Sequence, residues 1–481
     1  MQLPMKEMIV RSLGKSLVLA TGLMLSASPL VVAEVAAQEV FGEVDKTAEV
    51  NVSFEAAEDG APIVAGEQVK VSGRGFRPSQ TVTLNYGATA LTQQALTANA
   101  EGEISGNFTL PANAAVGTHP IVVMTGAPYH ATIAELKVSP NIPLLNQNAF
   151  EIETATPVRG LYQTAYSAKN NVLFAASAIG RPPVKQSEIV KIDADTMEVL
   201  ARATPAAAPQ RQGRDGTMQD GGVFAVYAVD VDDSKDTLWT TNTRQNTVAV
   251  YRQSDLALVK QFDEGTVNHA RDVRVDEALG KAYVSATFTP EVVVFDTATN
   301  TEAKRITIPS GKRREEFGVA SLSLDEAAHK LYVAGLGTSE VAVIDTNTDE
   351  VLNVFPVPGA RDTIGISHDP QTGRIFVASQ GSDNLVVLDG NSGTVIADTP
   401  VGAGALNVVF DPATRHAYVA NRGANTITVT DADGKIVANL GPAPRANHVA
   451  LGADGTIFAV DKSAGAMDAD ADQLLRIRPA D

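Results

Sequence analysis

The chain has 481 residues, with 38 basic and 56 acidic side chains and a net charge of −18. This negative excess disfavours wrapping of nucleic acid around the whole protein, although it permits a local basic patch. Cysteine is absent, which excludes disulfide bonds, thiolate metal sites, a cysteine nucleophile and lipoprotein anchoring. Hydrophobic residues make up 44% and are valine- and alanine-rich rather than aromatic, as expected for a core of short β-strands.

The first forty residues carry a targeting pattern. Lys6, Arg11 and Lys15 precede an apolar run over 16–33, and small residues at 35–37 provide a cleavage site. This pattern predicts a signal peptide over 1–37. We therefore expect an exported protein, located in the periplasm or else secreted or in the cell envelope. The run is nearly long enough to span a bilayer, so a membrane anchor is the alternative. No later segment is apolar over a comparable length, so we predict no integral membrane segment after signal removal.

Residues 43–140 have the pattern of a separate all-β domain. Apolar and polar residues alternate in QVKVSGRGFRPSQTVTLNY, and EGEISGNFTLPANAAVGTHPIVVMTG continues the pattern with turn residues between short strands. Such spacing predicts a small immunoglobulin-like β-sandwich. The phrases VSGRGFRPSQTVTL and LPANAAVGTHPIVV resemble bacterial extracellular Ig-like modules, which implies a spacer or an adhesion surface. Residues 141–147 are the predicted linker.

Repeats dominate the chain from about residue 150. The stretch KLYVAGLGTSEVAVIDTNTDEVLNVFPVPG contains three β-type runs separated by turn residues, and related stretches recur about every 44 residues. One aromatic side chain marks the same strand in each of seven repeats: Phe174, Trp239, Tyr283, Tyr332, Phe376, Tyr418 and Phe458. Repeats of this length with four strands each predict a seven-bladed β-propeller over 148–481, in an all-β protein.

The ends of the repeat region predict how the ring closes. The last repeat stops after the run QLLRIRP and lacks an outermost strand, whereas residues 149–154 precede the first complete repeat and have no repeat of their own. We predict that residues 149–154 supply the missing strand, because closure leaves only short, protected sheet edges.

The repeats LYVAGLGTSEVAVIDT, IFVASQGSDNLVVLD and AYVANRGANTITVTD resemble YVTN β-propeller repeats. The order of GLYQTAYSAKNNVLFAASAIG, TLWTTNTRQNTVAVYRQSDLALV and HARDVRVDEALGKAYVSAT over about 150–481 resembles the YncE family of exported bacterial propellers. The resemblance implies a seven-bladed periplasmic propeller without enzymatic activity, for which binding of single-stranded DNA has been proposed. The Ig-like domain is a departure from the minimal family pattern.

The loops that enter each innermost strand build one face of a propeller and the mouth of its central channel. In this sequence those loops are rich in basic residues, which suit phosphate or carboxylate oxygens. We predict a mouth that binds an anion or a protein partner, formed by Arg159, His269, Arg271, Arg313, Arg361, Arg445, Asn447 and His448. We also predict that the protein is a monomer.

Other interpretations of these loops stay open. The arginines are neighbours of Asp272, Glu315, Glu316 and Asp362, so they could pair locally and only tie repeats together. Single-stranded nucleic acid would also need stacking platforms, for which Tyr162, Phe224 and Phe317 are the candidates on this face. A lactonase or another hydrolase at the mouth, and a cell-envelope protein that binds polysaccharide or protein, are the competing functions. We predict no catalytic residue, cofactor or metal site.

Overall fold

The computed structural model describes residues 47–213, 215–462 and 472–480; the predicted signal peptide lies outside these ranges. Strands make up the regular structure of the described residues, together with two short 3₁₀ helices at Gln147–Ala149 and Thr243–Gln245. Neither helix has the length that a membrane span requires, and no other helix is present in these ranges.

The N-terminal region consists of two antiparallel sheets with one shared core. Its strands are β1 (Asn51–Ala56), β2 (Gln68–Arg74), β3 (Thr81–Tyr86), β4 (Thr89–Ala90), β5 (Leu96–Thr97), β6 (Glu103–Thr109), β7 (Gly117–Thr125) and β8 (Ala131–Val138). One sheet has the order β1-β2-β6, and the other has the order β4-β3-β7-β8 with β5 paired to β3. Val71, Leu84 and Ile121 are buried between the sheets, because alternate residues of each strand point to the same face.

Seven four-stranded antiparallel sheets follow in the described part of the chain. The strand β9 (Phe150–Ala155) comes first in sequence. Sheet 1 comprises β10 (Leu161–Ser167), β11 (Val172–Ile179), β12 (Gln186–Asp193) and β13 (Val199–Ala203). A short hairpin of two-residue strands, β14 (Arg211–Gln212) and β15 (Met218–Gln219), then precedes sheet 2. Sheet 2 comprises β16 (Val229–Asp232), β17 (Thr237–Asn242), β18 (Thr247–Arg252) and β19 (Leu258–Gln261).

The remaining sheets repeat this meander. Sheet 3 has β20 (Ala270–Asp276), β21 (Lys281–Ala286), β22 (Glu291–Asp296) and β23 (Thr301–Thr307). Sheet 4 has β24 (Gly318–Asp325), β25 (Lys330–Leu336), β26 (Glu340–Asp345) and β27 (Glu350–Pro356). Sheet 5 has β28 (Thr363–His368), β29 (Arg374–Ser379), β30 (Asn384–Asp389) and β31 (Val395–Pro400). Sheet 6 has β32 (Ala405–Asp411), β33 (His416–Asn421), β34 (Thr426–Asp431) and β35 (Ile436–Leu440).

Sheet 7 is built from both ends of the repeat region. Its order is β36 (Ala446–Leu451), β37 (Ile457–Asp461), β38 (Leu474–Pro479) and then β9. The register pairs Leu474 with Ala155 and Pro479 with Phe150. The expectation that residues near 149–154 complete the last sheet is therefore confirmed.

The first strands of the seven sheets are arranged in a ring. They contact each other in the cyclic order β10, β16, β20, β24, β28, β32, β36 and back to β10. The seven aromatic side chains predicted to mark the second strands are each at most 2% exposed and pack into cores shared by neighbouring sheets. This repeated, closed arrangement of four-stranded sheets is propeller-like.

The N-terminal region is fastened to the ring by a buried carboxylate. Asp383, between β29 and β30, accepts hydrogen bonds from Lys137 Nζ at 2.6 Å, Ser139 Oγ at 2.7 Å and the backbone N–H of Gly404 at 2.7 Å. Arg361 adds an exposed ion pair with Glu135 at 2.7 Å. These bonds place the N-terminal region beside the end of the ring where the loops entering the first strands lie.

Candidate functional site

Antiparallel strand pairing determines which loops lie at the same end of the ring. The first strand of each sheet begins opposite the end of the second, as in the pairs Ala270 with Ala286 and Ala405 with Asn421. Loops that enter first strands and loops that leave second strands therefore lie at the same end of the ring. We call this end the mouth.

A cavity of about 250 Å³ opens at the mouth, and all seven sheets contribute to its lining. We call it the mouth cavity. It is lined by Tyr162, Gln163, Tyr227, Thr243, Arg244, His269, Arg271, Ser321, Ile364, Gln380, Leu406, Asn407, Arg422 and Asn447. A cavity shared by every sheet lies on the axis of the ring, where a ligand can reach side chains of several sheets at once.

The charge of the mouth cavity is positive. Arg244, Arg271 and Arg422 line it, whereas none of its described lining residues is an aspartate or glutamate. Among the described residues, none of these three arginines forms an ion pair within 4.0 Å, and the Nε of Arg271 is buried without a hydrogen-bond partner. The neighbouring Asp272 is used elsewhere, by Arg274 at 3.2 Å and by the backbone N–H of Leu322 at 2.9 Å. The local pairing of Arg271 with Asp272 that the sequence permits does not form.

The pKa shifts of the basic groups at the mouth share a physical origin. Burial lowers the pKa of Arg271 and of Arg422, and Arg445 lowers the pKa of Arg422 further. Burial, followed by the charges of Arg422 and Arg244, lowers the pKa of Lys462 to about 8, against the opposing effect of Asp472. Each shift reflects a cost of holding positive charge there. An anion in the cavity would offset that cost.

Aromatic rings frame the mouth cavity. Tyr162 and Tyr227 meet edge to face at 4.6 Å between centroids, and Lys462 Nζ lies 3.3 Å from the Tyr162 centroid. Asn447 fixes this corner because its side-chain amide donates to the Tyr162 carbonyl at 2.7 Å. The ring of Phe288, in the loop after β21, is 66% exposed and lies 5.0 Å from the ring of His269.

The expectation of stacking platforms at Phe224 and Phe317 was wrong. Phe317 is fully buried and Phe224 is 7% exposed, so neither ring presents a face to a ligand. Phe317 instead packs with Val319 and Ile308 in the core shared by sheets 3 and 4. Of the three aromatic residues predicted for this role, Tyr162 alone lines the mouth cavity.

The structure brings only some of the predicted site residues together. His269, Arg271 and Asn447 line the mouth cavity. Burial, followed by the nearby charges of Arg244 and Arg271, lowers the pKa of His269 and so favours its neutral form. These three residues therefore lie together at the mouth, as the sequence predicts.

The other predicted residues are dispersed. Arg445 lines a separate cleft beside the N-terminal region, and His448 lines a second cavity further along the axis. Arg159 is exposed and lines a third cavity at sheet 1. Arg361 is engaged by Glu135, and Arg313 is exposed in the loop between β23 and β24, outside the mouth-cavity lining. The four arginines do lie in loops that enter first strands, but their side chains do not line the mouth cavity. Arg361 and Arg445 instead face the docked N-terminal region.

Sequence reasoning missed three basic residues at the mouth. Arg244, Arg422 and Lys462 lie in loops that leave second strands, whereas the predicted site residues come from the loops that enter first strands. A signal was present: Arg422 follows the marker Tyr418 by four positions, and Lys462 follows Phe458 by four. The same offset from Trp239 gives Thr243, which lines the cavity next to Arg244.

The lining of the second cavity, of about 320 Å³, includes Ser323, Ser367, His368, His448 and Asp230, and Asp325 lies near His368. Ser323 Oγ lies 2.9 Å from His368 Nδ1, but His368 Nε2 lies 3.7 Å from Asp325, beyond hydrogen-bond distance. Asp325 accepts the backbone N–H of Ala328 in the turn after its strand, as Asp276 does for Leu279. This carboxylate therefore belongs to a turn that recurs from sheet to sheet. In this geometry His368 is not oriented by a hydrogen bond to Asp325.

Histidines do not form a metal centre in the described ranges. His269 lines the mouth cavity, whereas His368 and His448 line the second cavity. No group of three or more histidine, aspartate or glutamate side chains with metal-binding geometry occurs among the residues that the structure describes.

A larger cleft of about 1060 Å³ adjoins the mouth cavity. One wall is formed by the ring and carries Arg422, Arg445 and Lys462; the other is formed by residues 54–64 and 137–142 of the N-terminal region. Gln380 and Arg422 line both the cleft and the mouth cavity. The cleft is therefore the lateral approach to the mouth cavity.

No protein-family model and no curated protein matches the sequence. Among solved structures, the chain is similar to U3-55K, with a TM-score of 0.54 and 10% identity over 70% of this chain and 100% of that chain. It is also similar to a chain of the hydrazine synthase of Kuenenia stuttgartiensis, with a TM-score of 0.51 and 15% identity over 63% of this chain and 93% of that chain. At these identities the similarity concerns the fold alone, and it agrees with an all-β, propeller-like chain.

Proposed function

We propose that the chain is an exported, non-enzymatic binding protein in which an immunoglobulin-like module precedes a seven-bladed β-propeller of the YVTN, YncE-like type. Support for the propeller comes from the seven sheets, their cyclic contacts and the pairing of β38 with β9. Support for the module comes from its two sheets around one core. Export to the periplasm or the cell surface rests on the sequence of residues 1–37.

The mouth cavity binds an anionic ligand in this proposal. The single observation that carries it is the set Arg244, Arg271 and Arg422, which line one small cavity without a described carboxylate partner. Buried charges in proteins are normally paired. Arg271 and Arg422 are half-buried and Arg244 is exposed, so the first two groups in particular leave a place for an opposite charge. Guanidinium groups bind carboxylate or phosphate through two parallel hydrogen bonds.

Calorimetric titration with tripolyphosphate, a compact polyanion, tests this function. We expect binding at low salt that weakens at physiological salt. The double variant Arg271→Gln/Arg422→Gln should lose at least about tenfold in affinity, because charged hydrogen bonds contribute about 1.5–3 kcal/mol each. Arg313→Gln is the matched control, since this exposed arginine lies outside the cavity lining. Equal binding by the double variant would overturn the proposed site.

Single-stranded DNA is a second candidate ligand, which the family resemblance implies. The exposed ring of Phe288 beside His269 favours it, because bases stack on aromatic rings that face solvent. Fluorescence anisotropy with a labelled oligothymidylate tests this candidate. Phe288→Ala should reduce affinity for the oligonucleotide about tenfold while leaving tripolyphosphate binding unchanged, since stacking contributes about 1–3 kcal/mol per base. Equal losses for both probes, or for neither, would contradict a stacking role.

A further inference from the structure

An acidic turn of the N-terminal region lies across the cleft from the basic wall of the ring. Glu58, Asp59 and Gly60 line the cleft together with Arg445 and Arg422. The turn lies close to that wall: a Cβ atom added to Gly60 would be only 3.6 Å from Arg445 Nη2. A ligand that approaches the mouth cavity through the cleft must therefore pass between opposite charges.

The opposite charges do not neutralise each other. Glu58 forms no ion pair within 4.0 Å with a residue that the structure describes, and Asp59 pairs with Lys70 of its own region at 2.8 Å. Arg445 likewise has no carboxylate partner in the described ranges. Glu58 thus presents an unpaired negative charge to the cleft, the charge of Asp59 is partly balanced by Lys70, and the basic wall stays available.

The acidic turn is held in place. The buried Asp383 accepts hydrogen bonds from Lys137 and Ser139, which line the same cleft. The following linker is also attached to the ring, since Asn439 Nδ2 donates a hydrogen bond to the Ile142 carbonyl at 2.9 Å. The turn itself is tied to its own region by the Asp59–Lys70 ion pair at 2.8 Å, and Ser139 donates its backbone N–H to the nearby Ile63 carbonyl at 2.7 Å.

We propose that the turn Glu58–Gly60 is a specificity determinant of the mouth, which admits a compact anion to the mouth cavity and discriminates against an extended polyanion. This inference rests on the proposed anion-binding function. A compact anion fits the cavity of about 250 Å³, whose lining contains no residue of the N-terminal region. A long polyanion must also occupy the cleft, where its charges meet Glu58 and Asp59. Specificity of this kind comes from repulsion of the wrong ligand as much as from attraction of the right one.

The test compares two probes, tripolyphosphate and a labelled oligothymidylate, with the full mature chain at physiological salt. At that ionic strength charges separated by more than about 8 Å are largely screened, so an effect of the turn is confined to a ligand in the cleft. The variant Glu58→Gln/Asp59→Asn should bind the oligonucleotide at least about fivefold more tightly, because repulsion in the cleft is removed. Its affinity for tripolyphosphate should change less than about twofold, since that probe stays in the cavity.

The matched control is Glu101→Gln/Glu103→Gln, which makes the same change in net charge at two exposed residues outside the cleft lining. This control should leave both affinities unchanged. Equal gains for both probes, equal gains in variant and control, or no gain for the oligonucleotide would each overturn the assignment of the turn. Failure of every protein to bind either probe at low salt would instead overturn the anion-binding mouth and this proposal with it.

Discussion

Lys137 Nζ lies 2.6 Å from a carboxylate oxygen of Asp383, whose side chain is only 1% exposed. This contact joins the N-terminal region to the turn between β29 and β30. Asp383 also accepts hydrogen bonds from Ser139 and from the backbone of Gly404, so one buried carboxylate satisfies donors from both sides of the interface. The position of the cleft beside the mouth therefore depends on this residue.

We expect Asp383→Ala to loosen the N-terminal region. The substitution removes three hydrogen bonds to a buried charge, each of about 1.5–3 kcal/mol, so residues 141–147 should be cleaved at least tenfold faster in limited proteolysis. Arg361→Gln is the control, because the Arg361–Glu135 pair is 51% and 57% exposed and such pairs contribute about 0–1 kcal/mol. Similar cleavage rates for both variants would show that Asp383 does not fasten the interface.

An ion pair joins the two strands, β38 and β9, that close the ring. Arg476 of β38 is 8% exposed and bonds Glu153 of β9 at 2.7 Å, and it also donates to the Ala194 carbonyl at 2.9 Å. We expect Arg476→Met to lower the free energy of unfolding by about 2 kcal/mol, because charged hydrogen bonds are lost at a protected position. Urea unfolding measures this change.

Glu151→Gln is the control for ring closure. Its partner Arg478 lies 3.8 Å away, and the two side chains are 62% and 42% exposed, so the expected loss is below about 0.5 kcal/mol. Equal losses in the two variants would mean that closure rests on the backbone pairing of β38 with β9 rather than on the Arg476 ion pair.

Anion binding should depend on pH through Lys462. Burial and the nearby arginines lower the pKa of Lys462 to about 8, and only the protonated amine attracts an anion. Affinity for tripolyphosphate should therefore fall as the pH rises above about 8, where the amine of the unliganded protein loses its proton. The bound anion raises the pKa of Lys462, so the fall in affinity continues to higher pH. Lys462→Arg should bind with little change between pH 7 and about 10, because the guanidinium stays charged there. Titrations at constant ionic strength measure both profiles, and identical profiles would exclude Lys462 from the site.

Acid stability should depend on His448, which is 4% exposed. Burial, followed by the charges of Arg274 and Arg271, lowers the pKa of His448 to about 3. The unfolded chain binds this proton below about pH 6.5 and the folded chain does not, so the free energy of unfolding falls by up to about 1.4 kcal/mol per pH unit between these values.

The difference between wild type and His448→Gln isolates this effect. Asp230 changes the pH dependence of the free energy of unfolding in the opposite direction. Burial raises its pKa to about 6, so below that pH the folded chain holds a proton that the unfolded chain has lost. At pH 4 the wild type should have lost about 3 kcal/mol more than the variant, relative to pH 7. Parallel stability curves would show that His448 titrates normally.

The repeated part of the fold was predictable because it depends on local pattern. The seven marker aromatics occupy equivalent strands, and Phe150 to Ala155 pair with β38 as the incomplete last repeat requires. The site was less predictable, because Arg422 and Lys462 reach the mouth through antiparallel pairing rather than through their own loops. Arg361 lies in a loop that enters a first strand, as predicted. Its pairing with Glu135 was not predictable, because Glu135 belongs to another region of the chain and docking of that region follows from contacts distant in sequence.

The binding of tripolyphosphate at low and at physiological salt, by wild type and by Arg271→Gln/Arg422→Gln, tests the cationic mouth most directly. We expect tight, salt-sensitive binding by wild type and at least about a tenfold loss in the double variant. Thermal stability of that variant should be unchanged or higher, because repulsion between half-buried charges is relieved. Absence of wild-type binding at low salt, or full affinity in a folded double variant, would contradict an anion-binding mouth.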